Sequence, residues 1–254
     1  MKTIARLALV FLSTACFLPP LAAQQKAMRV VATNTWTAAM ASAAGATTII
    51  SLAPAELRHP AEYELKPSDV EALQGADLIV YTGFEVMARK LADAAGSRKI
   101  RLLQIGADYS LKTLRASLTA IAAVTGTAAT ARQNIAVLET LMASWKDELR
   151  AAKVFGAPIL VHAFQQPLME ELGFAIRGVF GPAPLEAAQI TKLSGQSVRL
   201  IVDNWHNEVA APLTETVKGA RLVSLINFPG ANGTVSLLDV LIEDRARLKA
   251  AAGY

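Results

Sequence analysis

Short apolar runs alternate along the chain with segments whose apolar positions recur at helical spacing. Early in the chain the runs are MRVVAT (28–33), TTIISLA (47–53), DLIVYTG (77–83) and IRLLQIG (100–106). Each has the length and apolar content of a buried strand. The segments between them, TAAMASAAG (37–45), SDVEALQG (68–75) and EVMARKLADAAG (85–96), read as helices. Ser68 with Glu71 three places on forms a capping box, and Gly75 and Gly96 supply stops. This alternation predicts a mainly parallel sheet with helices on its faces.

The middle of the chain breaks that rhythm. A shorter apolar helical stretch spans 111–124, TGT follows at 125–127, and from Ala128 to Lys153 there is no glycine or proline. Ile135, Leu138, Met142, Trp145 and Leu149 recur there at helical spacing. The pattern predicts one long amphipathic helix, about 39 Å at 1.5 Å per residue, with Trp145 in the core rather than on a ligand platform. Beyond it, strands are predicted at 157–164, 174–180, 198–204 and 221–226, and helices at 166–172, 185–194, 212–219 and 236–251. The fold class is α/β: two lobes of similar size, 24–110 and 156–254, each with a mainly parallel sheet, joined by the helices of 111–155. FPGANGT (228–234) lacks phosphate-loop spacing and reads as a turn.

The first residues read as an address. Lys2 and Arg6 precede the apolar run LALVFLSTACFLPPLAA and the polar QQK, the pattern of a signal peptide over 1–23 cut after Ala23. The run is short for a bilayer span, and export to the periplasm follows. The only cysteine, Cys16, lies inside it. Cys16 is either discarded with the leader or, against the poor fit of Ser13 three places before, the lipid-bearing anchor of a lipoprotein. With Cys16 discarded, any metal site must draw on His, Asp and Glu. A composition 53% hydrophobic and 18% charged is globular rather than disordered. A net charge of only +4, with no Lys/Arg stripe interleaved with aromatics, argues against a nucleic-acid partner.

Three histidines are few enough to follow singly. His59 comes a few residues after the second strand, His162 sits near the end of the first strand of the second lobe, and His206 follows the third strand there in VDNWHNE. A lone His at a strand end is usually a satisfied polar residue. Three near the carboxyl ends of parallel strands, split between two lobes, point instead to a shared ligand site in an inter-lobe cleft. Neutral imidazole is the commonest metal ligand, and nitrogen and oxygen ligation suits Zn²⁺.

At these residues the chain resembles the metal-specific periplasmic solute-binding proteins of zinc/manganese ABC transporters (cluster A-I). HPAEYELKPSDVEALQGADLIVYTG (59–83) follows that family's first-lobe segment, and VHAFQQPLMEELGF (161–174) follows the opening of its second lobe. The resemblance covers most of 28–254. It implies two α/β lobes bridged by a rigid helix, metal held between them, small lobe motion on loading and no catalysis. It also implies an inner-membrane ABC permease as partner for a monomer. The sequence departs from the family's ligand pattern. The family's first His falls on Ala61, two places from His59, and its second has no counterpart between 107 and 157. Its Asp falls on Val235, so only His162 carries over in place.

The expected metal site is therefore His59, His162 and His206, with His206 replacing a lost ligand and the fourth position taken by a carboxylate, Asp239 four residues past Val235, or by water. Asp203, Glu208 and Glu62 are expected to orient the imidazoles from behind. Such a set favours Zn²⁺ as transported ligand over Mn²⁺, which prefers more oxygen. Two other readings stay open. The lost family ligands can mean a chelated metal or another small solute on the same fold. A zinc hydrolase could use the same three imidazoles with Glu62 or Glu208 as general base, though no HExxH spacing or Ser-His-Asp order supports it.

Overall fold

The computed structural model describes residues 27–254 apart from 92 and 94–99. The leader, Cys16 and the Gly96 stop lie outside the described residues. The first lobe is built from β1 (Arg29–Ala32), α1 (Thr35–Ala43), β2 (Thr48–Ser51), α2 (Pro67–Gln74), β3 (Leu78–Tyr81) and β4 (Arg101–Gln104). Two helices follow, α3 (Leu111–Thr125) and α4 (Ala128–Ala151). The second lobe begins with β5 (Pro158–His162), α5 (Gln166–Glu171), β6 (Ala175–Phe180) and α6 (Ala187–Ser194). It continues through β7 (Leu200–Asn204), α7 (Ala211–Thr216), β8 (Arg221–Leu225), the short β9 (Pro229–Asn232) and α8 (Leu237–Ala252).

Both sheets are parallel throughout, in the orders β2-β1-β3-β4 and β6-β5-β7-β8. The two lobes therefore share one topology without a period in the sequence. Burial on both faces asks only for apolar runs, not for repeated residues. Val30, Val31 and Ala32 of β1 and Ile159, Leu160 and Val161 of β5 are fully buried at the centres of their sheets.

The ends of several elements differ from expectation for local reasons. Helix α2 starts at Pro67, and its box is closed by Asp69 rather than Glu71. The Asp69 carboxylate accepts the Lys66 N–H at 2.7 Å and the Tyr63 hydroxyl at 2.9 Å. The expected helix from residue 85 is instead a 3-10 turn over Val86–Lys90 among the described residues. There the Glu85 side chain folds back onto the Thr82 and Gly83 amides rather than capping forward. The FPGANGT segment contains β9 in addition to its turn.

Helix α4 carries 24 residues, about 36 Å at 1.5 Å per residue. Gly126, at φ 76°, ends α3 in the left-handed conformation and turns the chain into it. Leu138, Met142, Trp145 and Leu149 form its buried stripe, as the spacing predicts. They belong to one apolar cluster that also takes in Val30 and Leu78 of the first sheet, Ile159 and Leu200 of the second, and Val240 and Leu248 of α8. Helix α8 is further tied to α4 by Arg245 and Lys249, both on Glu148, at 2.7 and 2.8 Å. These hydrogen bonds hold the Glu148 carboxyl below its ordinary range.

Because one cluster serves both lobes, a hole in the α4 stripe is felt everywhere. Met142→Ala is expected to cost about 2–5 kcal/mol, read as a lower urea midpoint with both lobes still melting in one transition. An unchanged midpoint, or two separate transitions, would show that the lobes do not share a core.

Candidate functional site

In each sheet the strand order reverses beside the first strand, between β1 and β3 and between β5 and β7, and loops leave the carboxyl ends in opposite directions there. Such switch points are where parallel sheets bind ligands. The two sets of loops face each other across a cavity of about 360 Å³. The first lobe contributes Arg58, His59 and Glu62 from beyond β2, and Phe84 from beyond β3. The second contributes Phe164 after β5, Asn204, His206 and Asn207 at and after β7, and Asn227 and Phe228 after β8.

His59 is exposed and precedes the 3-10 turn Pro60–Glu62, whose proline fixes the exit of the loop. His206 faces the same cavity from the other lobe, only 6% exposed. Its ring meets Trp205 and Phe228 edge-on, at centroid distances of 4.8 and 4.9 Å. Its Nδ1 accepts the Asn227 backbone N–H at 3.2 Å. Burial, then the nearby Arg58 guanidinium and His59, push its pKa down to about 4. At neutral pH the ring is uncharged, with its proton on Nε2.

His162 lies behind the cavity wall. It is the last residue of β5 and fully buried, and burial holds its pKa below the ordinary value. Nδ1 accepts the Phe164 N–H at 3.1 Å, and Nε2 lies 3.1 Å from Asn207 Oδ1. Gly181, at φ 71°, packs so closely that a Cβ there would stand 2.4 Å from Nε2. Both ring nitrogens are thus engaged, and His162 supports Asn207 rather than facing the cavity.

The expected carboxylates are also committed elsewhere. Asp239 accepts the backbone N–H groups of Val235 and Ser236 at 3.0 and 2.9 Å, closing a capping box at the start of α8. Asp203 takes the amides of Asn204, Val209 and Ala210, at 2.8, 3.1 and 2.9 Å, so it shapes the loop carrying His206 rather than touching an imidazole. Glu208 is held by Arg58 at 2.8 Å and Ser224 at 3.0 Å. Glu62 lines the cavity from an exposed position. The structure brings His59 and His206 to one cavity and leaves His162 and Asp239 outside it. Among the described residues no group of three or more His, Cys, Asp or Glu is disposed to hold a metal ion.

Four features of the site were not anticipated from the sequence. Arg58 crosses between lobes: its guanidinium donates to the Trp205 carbonyl and to Glu208, both at 2.8 Å, and stands 5.0 Å from the Trp205 ring centre. Beside it, Gly230 of β9 comes so near the loop beyond β2 that a Cβ would stand 2.3 Å from the Ala55 carbonyl oxygen. At the first-lobe switch point Glu85 is buried and accepts from Thr33 Oγ1 at 2.6 Å, Asn34 Nδ2 at 3.2 Å and the Gly83 amide at 2.7 Å. Burial works to raise its pKa, but hydrogen bonds from Thr33, Thr82 and its own amide outweigh it, and the net shift is downward. At the second-lobe switch point Gln165, also buried, gathers Asn204, Asn227 and the Leu225 carbonyl.

Residues 30–120 match the family described as zinc-uptake complex component A, periplasmic (ZnuA). This stretch includes the 59–83 segment that carried the resemblance. No curated protein matches the chain in sequence. Solved structures match over nearly the whole chain at low identity. The laminin-binding protein Lmb of Streptococcus agalactiae, described as a bifunctional adhesin and metal transporter, is 17% identical with a TM-score of 0.71, covering 89% of this chain and 99% of its own. The solute-binding protein FpvC of Pseudomonas aeruginosa with Ni²⁺ is 17% identical with a TM-score of 0.70, over 90% and 97%. It has also been solved with Mn²⁺. The periplasmic zinc-binding protein TroA of Treponema pallidum is 17% identical with a TM-score of 0.65, over 89% and 99%. These likenesses establish the fold: two parallel α/β lobes arranged as in metal-binding solute-binding proteins.

Two variants probe this geometry. Arg58→Ala removes a cation that opposes protonation of His206, so the His206 pKa should rise from about 4, while stability falls by no more than about 1 kcal/mol because the pair is half exposed. An unmoved pKa in an NMR titration would place burial alone behind the shift. For Glu85, a depressed carboxyl stabilises the fold above its unfolded pKa and loses that contribution as pH falls through the folded value. Glu85→Gln should therefore be least stable relative to wild type at neutral pH, the gap narrowing below the ordinary value of 4.5. A gap independent of pH would argue against an ionised Glu85.

Proposed function

We propose that the chain is the solute-binding component of a metal ABC importer, exported behind its N-terminal leader to work in the periplasm. It captures a transition-metal cargo between its lobes and passes it to an inner-membrane permease. The observation that carries this reading is the inter-lobe cavity at the carboxyl ends of both sheets, with imidazoles from opposite lobes facing it. The match over 30–120 and the shared fold support it. Fold relatives include proteins described with zinc, nickel and manganese, so the fold sets no single metal.

Within this reading His59 is the most available metal ligand. No hydrogen bond engages its ring among the described residues, so both ring nitrogens are unpaired where it lines the cavity. His206 joins it only if its proton moves to Nδ1, which displaces the Asn227 N–H. His162 acts through Asn207, and Asp239 acts through the start of α8. Zn²⁺ ranks ahead of Mn²⁺ because the imidazole of His59 leads the donor set and Mn²⁺ prefers more oxygen.

The test is metal content of protein purified without chelator, with calorimetric titration of the metal-free form by Zn²⁺ and Mn²⁺. Saturation near one equivalent is expected, and His59→Ala should weaken it by about tenfold or more. Asp239→Ala should lower the melting temperature and leave affinity unchanged. Absence of saturable binding to metal in any form would sink the transport reading.

A further inference from the structure

We propose that the cargo is a metal ion carried by an anionic, oxygen-rich chelator, which the second lobe recognises through N–H donors. The inference rests on the metal-cargo reading above and names the form in which the metal arrives. It follows from which way the polar groups of the cavity wall are forced to point.

Each orientation is fixed from the backbone outward. The Phe164 N–H donates to His162 Nδ1, so the neutral ring carries its proton on Nε2 and donates to Asn207 Oδ1. With its oxygen taken, Asn207 has only its NH₂ left. The Leu225 carbonyl accepts from Gln165 Nε2 at 3.2 Å, which sets that amide. The second hydrogen of that nitrogen goes to Asn227 Oδ1 at 2.5 Å and is shared only weakly with Asn204 Oδ1 at 3.4 Å. Both asparagines are likewise left with NH₂ groups. The Asn204 nitrogen is buried without a partner among the described residues. The Asn227 N–H in turn leaves His206 with Nε2–H.

The second-lobe wall thus offers N–H donors from Asn207, Asn227 and His206, with the buried Asn204 NH₂ behind them, and Arg58 adds positive charge at the rim. An amide NH₂ has no lone pair for a cation, and flipping any of these amides breaks a bond anchored on the main chain. The one carboxylate in the wall, Glu62, is exposed and on the other lobe. A surface of donors beside a cation selects acceptors with negative charge. The volume agrees: 360 Å³ is about the share of ten or more waters and falls in the range of small-molecule sites. Phe84, Phe164 and Phe228 supply apolar contact for a carbon skeleton. In this arrangement the chelator fills most of the coordination sphere, and His59 remains free to take a single position on the metal.

The experiment titrates the metal-free protein with Zn²⁺ alone, with its citrate and nitrilotriacetate complexes, and with each chelator alone. At least one loaded complex should bind about tenfold or more tightly than Zn²⁺ alone. Asn207→Asp and Asn227→Asp exchange a donor for a lone pair in nearly the same shape. They should weaken the complex by about tenfold and leave or strengthen binding of Zn²⁺ alone. If Zn²⁺ alone binds as tightly as every complex, the chelate inference is overturned and the metal-cargo reading stands. If chelators bind equally with and without metal, the cargo is an organic anion and both readings fall. Unchanged complex affinity in two folded variants, confirmed by melting curves, overturns the role of the donors. Should one variant not fold, the wild-type panel and the other variant decide.

Discussion

The structure depends on one constraint: both lobes are built around the same apolar core. The stripe from Leu138 to Leu149 on α4 meets strands of both sheets, and α8 returns from the end of the chain to pack in the same cluster. A lobe that swung freely would have to tear that cluster, and interiors packed this closely do not yield continuously. The cleft is accordingly set by the fold before any cargo arrives. What remains adjustable is the rim, where Arg58 reaches Glu208 through a half-exposed ion pair, and exposed pairs contribute little. The cost of opening is therefore concentrated in the contacts at the mouth, among them the close approach of Gly230 to Ala55.

Within that frame, two buried side chains decide what the cleft can present. Glu85 fills the switch point of the first sheet and satisfies Thr33, Asn34 and the turn after β3. Its bonds to the Thr82 and Gly83 amides tie down the turn that carries Phe84. Gln165, after β5 at the switch point of the second sheet, is buried as well. It turns the amides of Asn204 and Asn227 so that their nitrogens are the groups left over. On the proposed reading, two lobes of one topology serve different uses, one as an abutment and one as a recognition surface. The chemistry lies in the side chains at the switch point, not in the fold.

The architecture was largely legible in the sequence because burial on both faces of a parallel strand leaves an unmistakable apolar run, and the α4 stripe keeps its spacing over 24 residues. The candidate site was legible only in its position. All three histidines lie at the carboxyl ends of strands, as expected, but the sequence could not say which way a ring faces. His162 ends β5 on the side that packs against Gly181 and is fully buried, with both ring nitrogens engaged. Asp239 carried its own signal, since Ser236 three places before it spells a capping box. Arg58 and Glu85 gave no signal, because a contact across 147 residues or a carboxylate folded back on its own turn has no local pattern.

The departures from the family's ligand pattern acquire a physical sense from these directions. Moving a carboxylate from the position of Val235 to Asp239 keeps it near in number but places it on the first turn of α8. There the amides of Val235 and Ser236 hold it. Moving an imidazole from Ala61 to His59 places it before Pro60, on the exposed side of the turn. Neither shift rebuilds a closed four-ligand cage, which needs lone pairs converging within about 2.0–2.2 Å of one point. Both are compatible with a site in which the protein gives one imidazole from its flexible rim and a wall of N–H groups from its rigid side. In such a site selectivity passes from the coordination geometry of the ion to the shape and charge of whatever surrounds it. The cavity's size and its three phenylalanines then belong to the binding function as much as its histidines do.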